Sequence, residues 1–209
     1  FYLKNMEKLL EISSFKLWLL LMLLLTMRYV IVAGIPYLWL YVIGKDKYST
    51  HKIQKYYPDR KQVFLEIRYS LITFCVYSSG IWAFLYWLKN GHTKNYTEVN
   101  EFGILYFIIS IVLMIIMHDA YSYWIHRLMH YKVLFKYTHL LHHKFKNPSP
   151  WSAFAFHPFE SILTMGIIPI IIFIIPWHNM ALVIFITWMI FYDTFIHLGY
   201  NIKSLKIFK

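Results

Sequence analysis

The chain has 209 residues, of which 59% are hydrophobic, 21% aromatic and only 15% charged. Soluble domains carry about 25% charged residues, so this composition excludes an ordinary soluble protein and indicates a membrane protein. The net charge of +11 comes from basic residues that lie beside long apolar runs, which argues against nucleic acid as a partner. The single cysteine, Cys75, excludes a disulfide framework and a cysteine-rich metal site.

The two ends of the chain lack the usual terminal signals. The sequence begins with Phe1 and stops at Lys209 without a terminating pattern, so we expect either end to be incomplete. The first apolar run is longer than a signal-peptide core and lacks a cleavage site, so no cleavable signal peptide is predicted. Because no repeat or linker divides the chain, residues 1–209 are predicted to form one domain.

Four apolar blocks approach or exceed the roughly 20 residues that a membrane-spanning helix needs. They cover residues 17–43, 67–88, 102–117 and 162–196. The last block is interrupted at 176–179 and predicts a hairpin of two helices, which either crosses with tilt or enters and returns without full crossing. The blocks together predict an all-α, multi-pass transmembrane helical bundle.

Arg28 and Pro36 interrupt the first apolar block. A charge near the middle of a span is costly unless it faces a protein interior or a polar cavity. Arg28 is therefore predicted either to pair with a buried carboxylate or to separate two shorter pieces, and the sequence leaves both possibilities open.

Basic residues are concentrated in two loops, as is typical of the cytoplasmic side of a membrane protein. Segment 44–66 has six Lys and Arg residues and segment 118–161 has five, whereas segment 89–101 has two Lys against two Glu. Two crossings separate the basic loops, so loop charge and crossing parity agree. The histidine-rich segment is therefore predicted to form a helical cap on the cytoplasmic side.

Histidine is the unusual residue, since seven of the 11 copies lie within segment 118–157. His126 and His130 are four positions apart, so on a helix their rings share one face about one turn, roughly 5.4 Å, apart. A second cluster, in which positions i, i+3 and i+4 share a face, consists of His139, His142 and His143. One pair would be weak support for a metal site, but two neighbouring clusters favour one.

The chemistry of these clusters limits the kind of site. The nearby carboxylates, Asp119 and Glu160, are too few for the carboxylate-bridged centre of soluble di-iron bundles. We therefore predict an almost all-histidine site for more than one ion, and imidazole ligands alone leave zinc, copper, iron and nickel open.

Two residues before the first cluster are candidates for supporting it. Asp119 lies seven residues before His126, on nearly the same helix face, where it could accept the second ring N–H of a ligand histidine. The alternative is an ordinary surface carboxylate. His118 is a weaker candidate for the same supporting role. No metal role is assigned to the histidines of other loops, which are His51, His92 and His178.

Several ordered motifs closely resemble the fatty acid hydroxylase and sterol desaturase superfamily over roughly residues 28–201. They read "RYVIVAGIPYLWLY", "KIQ", "YWIHRLMH", "HLLHH", "NPSPWSAFAFHPFE" and "HLGYN". The resemblance implies a helical membrane enzyme whose cytoplasmic histidine boxes hold two non-haem iron ions, with zinc as a possible substitute. Such enzymes use dioxygen and two electrons to hydroxylate or desaturate a lipid, for example a sterol or a fatty acyl chain.

The resemblance also assigns residues and partners. His126 and His130 match the first histidine box, and the second box is matched by His139, His142 and His143. His157 and His197 match further histidines at or beside the metal centre. The sequence contains no haem domain, flavin fingerprint or cysteine cluster, so the electrons are expected from a separate protein: a cytochrome b5-like protein, a ferredoxin or a reductase.

One departure from the family pattern concerns the C-terminus. The final His-x-x-His-His box is expected downstream of His197, but the sequence ends at Lys209 without it. We therefore expect these 209 residues to be a truncated member that binds metal weakly and does not turn over. Alternative interpretations are a histidine-rich membrane protein that binds or transports metal without oxidase activity, a membrane haem protein, and a non-catalytic, zinc-holding relative.

Overall fold

The computed structural model describes residues 14–201. The C-terminal end, where the final histidine box is expected to be missing, lies outside the described residues. Within them, four helices are long and apolar enough to cross a membrane, which confirms the predicted all-α, multi-pass fold. These long helices are α1 (Ser14–Tyr37), α2 (Arg60–Lys89), α3 (Gly103–Met129) and α8 (Asn179–Ile196).

Helix α1 runs without a break through Arg28. Pro36 removes one backbone donor, and two residues later the helix widens into a π-helix, Leu38–Ile43. The Arg28 Nη2 atom donates to the hydroxyl of Thr187 on α8 at 3.0 Å. Both predictions for Arg28 are therefore wrong: the helix is continuous, and the guanidinium finds a hydroxyl rather than a carboxylate among the described residues.

Helices α2 and α3 extend beyond the apolar blocks that predicted them. Asp59 caps α2 by accepting a hydrogen bond from the Gln62 backbone N–H at 2.7 Å. Helix α3 continues to Met129, past the predicted end at residue 117. A helix can continue through polar residues where it leaves the membrane. The end of an apolar run therefore does not mark the end of the helix. The extension places the first histidine box on the last turns of α3.

The predicted hairpin forms, but its first arm is broken. Gly166 separates α6 (Pro158–Met165) from α7 (Ile167–Ile174), and α8 forms the second arm. The turn between the arms contains β2 (Trp177–His178), which pairs in parallel with β1 (Asn95–Tyr96) from the loop between α2 and α3. The hairpin therefore reaches the same end of the bundle as that loop, which we call the opposite end.

The other end of the bundle, here called the histidine end, consists of segments 44–59, 130–157 and 197–201. It contains two four-residue helices, α4 (Lys132–Phe135) and α5 (Leu140–His143), and a 3₁₀ helix, Pro150–Phe154. Lysines of both basic loops lie at this end, whereas the opposite end contains Lys16, Lys89 and Lys94.

The interior is apolar, and so are the outer faces of the long helices. One core cluster packs Met114, Ile171 and Phe185 between α3, α7 and α8. Large apolar side chains on the outside remain exposed, for example Leu23 at 55% and Ile104 at 64%. A contiguous exposed apolar surface is costly in water but suits a lipid environment.

Candidate metal centre

The last turns of α3 bring the first histidine box together. His130 ends α3, and its backbone N–H donates to the His126 carbonyl at 3.1 Å. This helical hydrogen bond aligns the two side chains, so that their Nε2 atoms lie 3.1 Å apart.

Helices α4 and α5 fold the second box back onto the first. His143 places its Nε2 atom 3.3 Å from the Nε2 atom of His130. The ring of His139 lies with its centroid 4.5 Å from that of His126 and 4.8 Å from that of His143. The ligand atoms of His126, His130 and His139 all lie within 4.8 Å of one another. We call these four residues, His126, His130, His139 and His143, the first histidine group.

A second arrangement, the histidine pair, joins His142 of α5 to His197 at the end of α8. Their Nε2 atoms are 3.4 Å apart. The Nδ1 atom of His197 donates to the Asp193 carbonyl at 2.7 Å, which leaves Nε2 free to face His142. The His142 ring stacks on that of His139 with a centroid distance of 5.2 Å, so the pair adjoins the first group.

Glu160 supports the first group from α6. Its Oε1 atom lies 2.6 Å from Nδ1 of His139, and the two residues are 1% and 2% exposed. With Nδ1 engaged by the carboxylate, Nε2 of His139 is buried without a hydrogen-bond partner among the described residues. A ligand histidine held by a carboxylate at its other nitrogen is the usual arrangement at protein metal sites.

Burial also sets the protonation of the centre. It lowers the pKa of His139 to about 4 and that of His142 to about 3, where neighbouring imidazoles contribute further. Because charging an imidazole away from water is unfavourable, both rings are neutral at pH 7, which is the form that binds a metal.

The nitrogen spacing fits shared metal ions. Two ligand atoms about 2.0–2.1 Å from one ion lie roughly 2.9–3.4 Å apart, depending on the coordination geometry. The three close Nε2 to Nε2 distances, 3.1, 3.3 and 3.4 Å, fall in this range. The unpartnered Nε2 of His139 and Nδ1 of His142 supply further donor atoms. The residues present therefore fit a histidine-rich site for one or two ions.

An apolar cavity of about 410 Å³ opens onto the histidines. His126, His139, His142 and His197 line it on one side. On the other side it is lined by Phe84, which packs against Trp177 at the opposite end of the bundle. The cavity therefore extends from the histidines into the middle of the helices, and its volume is in the range that holds small-molecule ligands.

A second cavity of about 440 Å³ lies between α3 and α8 and contains the two predicted supporting residues. Asp119 is exposed there, and among the described residues no hydrogen bond joins it to a histidine. His118 is buried against the rings of Phe185 and Trp188, with Ser122 at 3.4 Å. The carboxylate that touches a box histidine is Glu160, so the supporting role of Asp119 stays a prediction.

Two further histidines cap helices. His157 caps α6, because its Nδ1 accepts the Phe159 backbone N–H at 3.3 Å, and only its Nε2 is left for a metal. His178 caps α8 at the opposite end and contacts the Thr97 carbonyl at 2.8 Å.

Two residues of the site were not identified from the sequence. Glu160 was counted only as one of two nearby carboxylates, although its place in "FHPFE", one turn after His157, was a usable signal. Asp193 lines both cavities and precedes His197 by one helical turn, a spacing that the sequence also contained.

An apolar helical bundle that carries six clustered imidazoles at one end, above an apolar cavity, defines a membrane protein with a candidate metal centre. Residues 111–209 match the model of the family described as fatty acid hydroxylase. This match and the relatives below confirm the predicted resemblance to the fatty acid hydroxylase and sterol desaturase superfamily.

The relatives are enzymes of sterol metabolism by name. The Delta(7)-sterol 5(6)-desaturase ERG3B of Gibberella zeae is 36% identical over 89 residues, which cover 43% of this chain and 28% of that protein. Lathosterol oxidase of Rattus norvegicus is 33% identical over 44% of the chain and 31% of its own length. A probable Delta(7)-sterol 5(6)-desaturase of Neurospora crassa is 29% identical over 90% of the chain and 53% of its own length.

The chain therefore spans between about a quarter and a half of the relatives that it matches. No solved structure matches it.

Proposed function

We propose that the protein carrying this chain is a membrane-bound, non-haem di-iron oxidoreductase that uses dioxygen to hydroxylate or desaturate a lipid. The observation that carries the proposal is the meeting of six imidazoles in the first histidine group and the histidine pair, four of which line one apolar cavity. The names of the relatives support lipid oxidation as the reaction class.

The two histidine arrangements would hold the two ions. The first group would bind one iron through Nε2 atoms, and the pair would contribute two imidazoles to the second. Bound iron supplies the redox chemistry needed to activate dioxygen and attack an unactivated C–H bond. Zinc could occupy the same nitrogens but is not redox-active.

The protein's own residues place the lipid and orient the ligands. Glu160 holds the ring of His139 through Nδ1 and so keeps Nε2 directed toward the first group. The apolar walls, including Phe84 and Ile168, would receive the hydrocarbon part of the lipid and exclude water. Because four of these histidines line the same cavity, the carbon to be oxidised would lie beside them.

A sterol is the substrate that the relatives favour, since all three are named for sterol oxidation. A fatty acyl chain is the alternative that the family description suggests. We place the histidine end on the cytoplasmic side, because the basic loops 44–59 and 130–157 lie there. Their positive charge suits an acidic electron-donor protein.

Turnover by the iron-loaded protein tests this proposal. The protein is purified from membranes in detergent and supplied with dioxygen, an electron-donor system and either a Δ7-sterol or a fatty acyl lipid. We expect lipid-dependent oxygen consumption and a product that has either gained one oxygen atom, labelled from ¹⁸O₂, or lost two hydrogens. Elemental analysis should give two irons per chain, and Mössbauer spectroscopy should show that they are non-haem iron.

Two results would contradict the proposal. Stoichiometric zinc without any lipid product, after iron loading has been attempted, would favour a non-catalytic metal-binding protein. Uptake of metal ions into proteoliposomes that contain the protein would favour a metal transporter.

A further inference from the structure

Tyr41 joins two chain segments that each follow one histidine of the pair. Its side chain is 6% exposed, and its hydroxyl lies 3.0 Å from the Leu198 carbonyl and 3.2 Å from the Pro148 carbonyl. Leu198 directly follows His197, and Pro148 lies six residues after His142. The single O–H proton of Tyr41 is shared between these two carbonyls, so the hydroxyl contacts both segments.

The surroundings of Tyr41 fix its ring and aim its hydroxyl. The ring stacks on Tyr37 at a centroid distance of 5.2 Å and meets the edges of Tyr57 and Tyr200 at 5.7 and 5.4 Å. Tyr41 lies in the π-helix Leu38–Ile43, which follows the end of α1.

Gly199 allows the close approach of the hydroxyl. Its φ of 69° is in the left-handed region, and a Cβ atom at this position would lie 2.5 Å from the Tyr41 hydroxyl oxygen. Glycine is the residue that accepts both the backbone conformation and the contact.

Other hydrogen bonds hold each of the two segments against different parts of the molecule. The Tyr200 hydroxyl donates to the Leu40 carbonyl at 2.7 Å, and the Ile53 N–H donates to the Gly199 carbonyl at 2.9 Å. The loop after His142 is held separately by α1 and α2, for example through the Tyr29 hydroxyl, which donates to the Trp151 carbonyl at 2.6 Å. Tyr41 thus stands between two independently anchored segments.

We propose that Tyr41 is a positioning residue that sets the distance between His142 and His197 and thereby the affinity of the second metal ion. The inference rests on the proposed function, since it needs the pair to bind metal. Tyr41 touches neither histidine; it acts on the backbone that carries them.

The substitution Tyr41→Phe tests this, because it removes the hydroxyl and keeps the ring. Tyr29→Phe is the matched control. Tyr29 is also a buried tyrosine, on α1, and its hydroxyl donates to the Trp151 carbonyl in the segment after His142 without contacting Leu198. Each variant of the protein is purified in detergent and titrated with Fe(II) and Co(II). Metal per chain, the cobalt absorption spectrum and thermal unfolding are measured.

We expect the parent and Tyr29→Phe to bind two ions and Tyr41→Phe to bind the second ion about tenfold more weakly. This is the lower end of the loss that follows removal of a direct partner of a metal ligand, because Tyr41 acts only through the backbone. The first ion and the unfolding temperature should stay close to those of the parent.

Other outcomes would overturn the inference. Parental affinity for both ions in Tyr41→Phe would show that the hydroxyl does not position the pair. Equal losses in the two variants, or loss of both ions in Tyr41→Phe, would show a general packing effect. A parent that binds no metal would refute the proposed function itself, and this inference with it.

Discussion

The first histidine group and the histidine pair present similar nitrogen spacings but are assembled in different ways. The group comes from 18 consecutive positions, His126 to His143. Within this segment, α3, α4 and α5 are joined by short turns that bring the four rings together. The pair joins residues 55 positions apart. One arrangement is therefore built by local helix geometry, and the other depends on the packing of the hairpin against the rest of the bundle.

The supports of the two arrangements differ accordingly. The group contains a buried carboxylate contact, Glu160 on His139, that acts directly on a ring. In the pair, the His197 ring is held by a backbone carbonyl of its own helix, and the segments carrying the pair are joined through Tyr41. A locally built site tolerates small movements of distant helices, whereas a site built between distant segments is sensitive to them.

The largest expected effect comes from His130→Ala. His130 lies 3.1 Å from His126 and 3.3 Å from His143 at Nε2, so its loss removes the central imidazole of the group. We expect the first ion to be lost. Lipid oxidation should fall by at least about a thousandfold, because the site no longer holds the iron that supplies the redox chemistry. Iron per chain and product formation measure this. As a control, His92→Ala in an exposed turn of the opposite end should match the parent. Retained activity in His130→Ala would show that the group is not the metal centre.

His197→Ala is expected to abolish metal binding by the histidine pair without affecting the first histidine group. It removes one half of the pair and leaves all contacts within the group intact. We therefore expect one iron per chain instead of two and loss of the spectroscopic signature of coupled irons. A chain that still binds two irons would place the second ion elsewhere, and loss of both would show that the arrangements are not independent.

Glu160→Gln should weaken metal binding by the first histidine group and leave metal binding by the histidine pair unchanged. The change keeps the shape of the side chain and removes the carboxylate that orients His139, so we expect the affinity for the first ion to fall about tenfold to a hundredfold. Metal titration followed by cobalt absorption measures it. Glu66→Gln is the matched control, because Glu66 is also a buried carboxylate but contacts Ser149 and Gln62 instead of a histidine. Equal losses in the two variants would contradict a specific role.

The smallest effect on the metal centre is expected from Ile168→Trp, which fills the apolar cavity away from the histidines. Both ions should bind as in the parent, while KM for the lipid rises by about tenfold because apolar pockets discriminate size at this level. Ile174→Trp is the control, since Ile174 is on the same helix and 57% exposed. Steady-state kinetics at constant iron content measure the difference. An unchanged KM in Ile168→Trp would mean that the lipid does not enter this cavity.

Much of the architecture could be predicted from the sequence because the relevant signals are local. Long apolar runs indicated the helices, and the spacing of His126 and His130 indicated rings on one face of a helix. The errors also have local causes. Helix α3 extends past residue 117 because hydropathy ends at the membrane surface while helical hydrogen bonding does not. The first arm of the hairpin consists of two short helices instead of one because the helix is interrupted at Gly166.

The sequence by itself determined the class of the protein, the spacing of the histidines within each box and the residue types that could bind metal, since each depends on composition or on spacing along one short segment. The tertiary structure decided which distant residues complete the site. The contact of Glu160 with His139, the approach of His197 to His142 and the bridge formed by Tyr41 all join segments through packing between helices. Such contacts depend on how the elements are placed in three dimensions, and no periodicity along the chain encodes that placement.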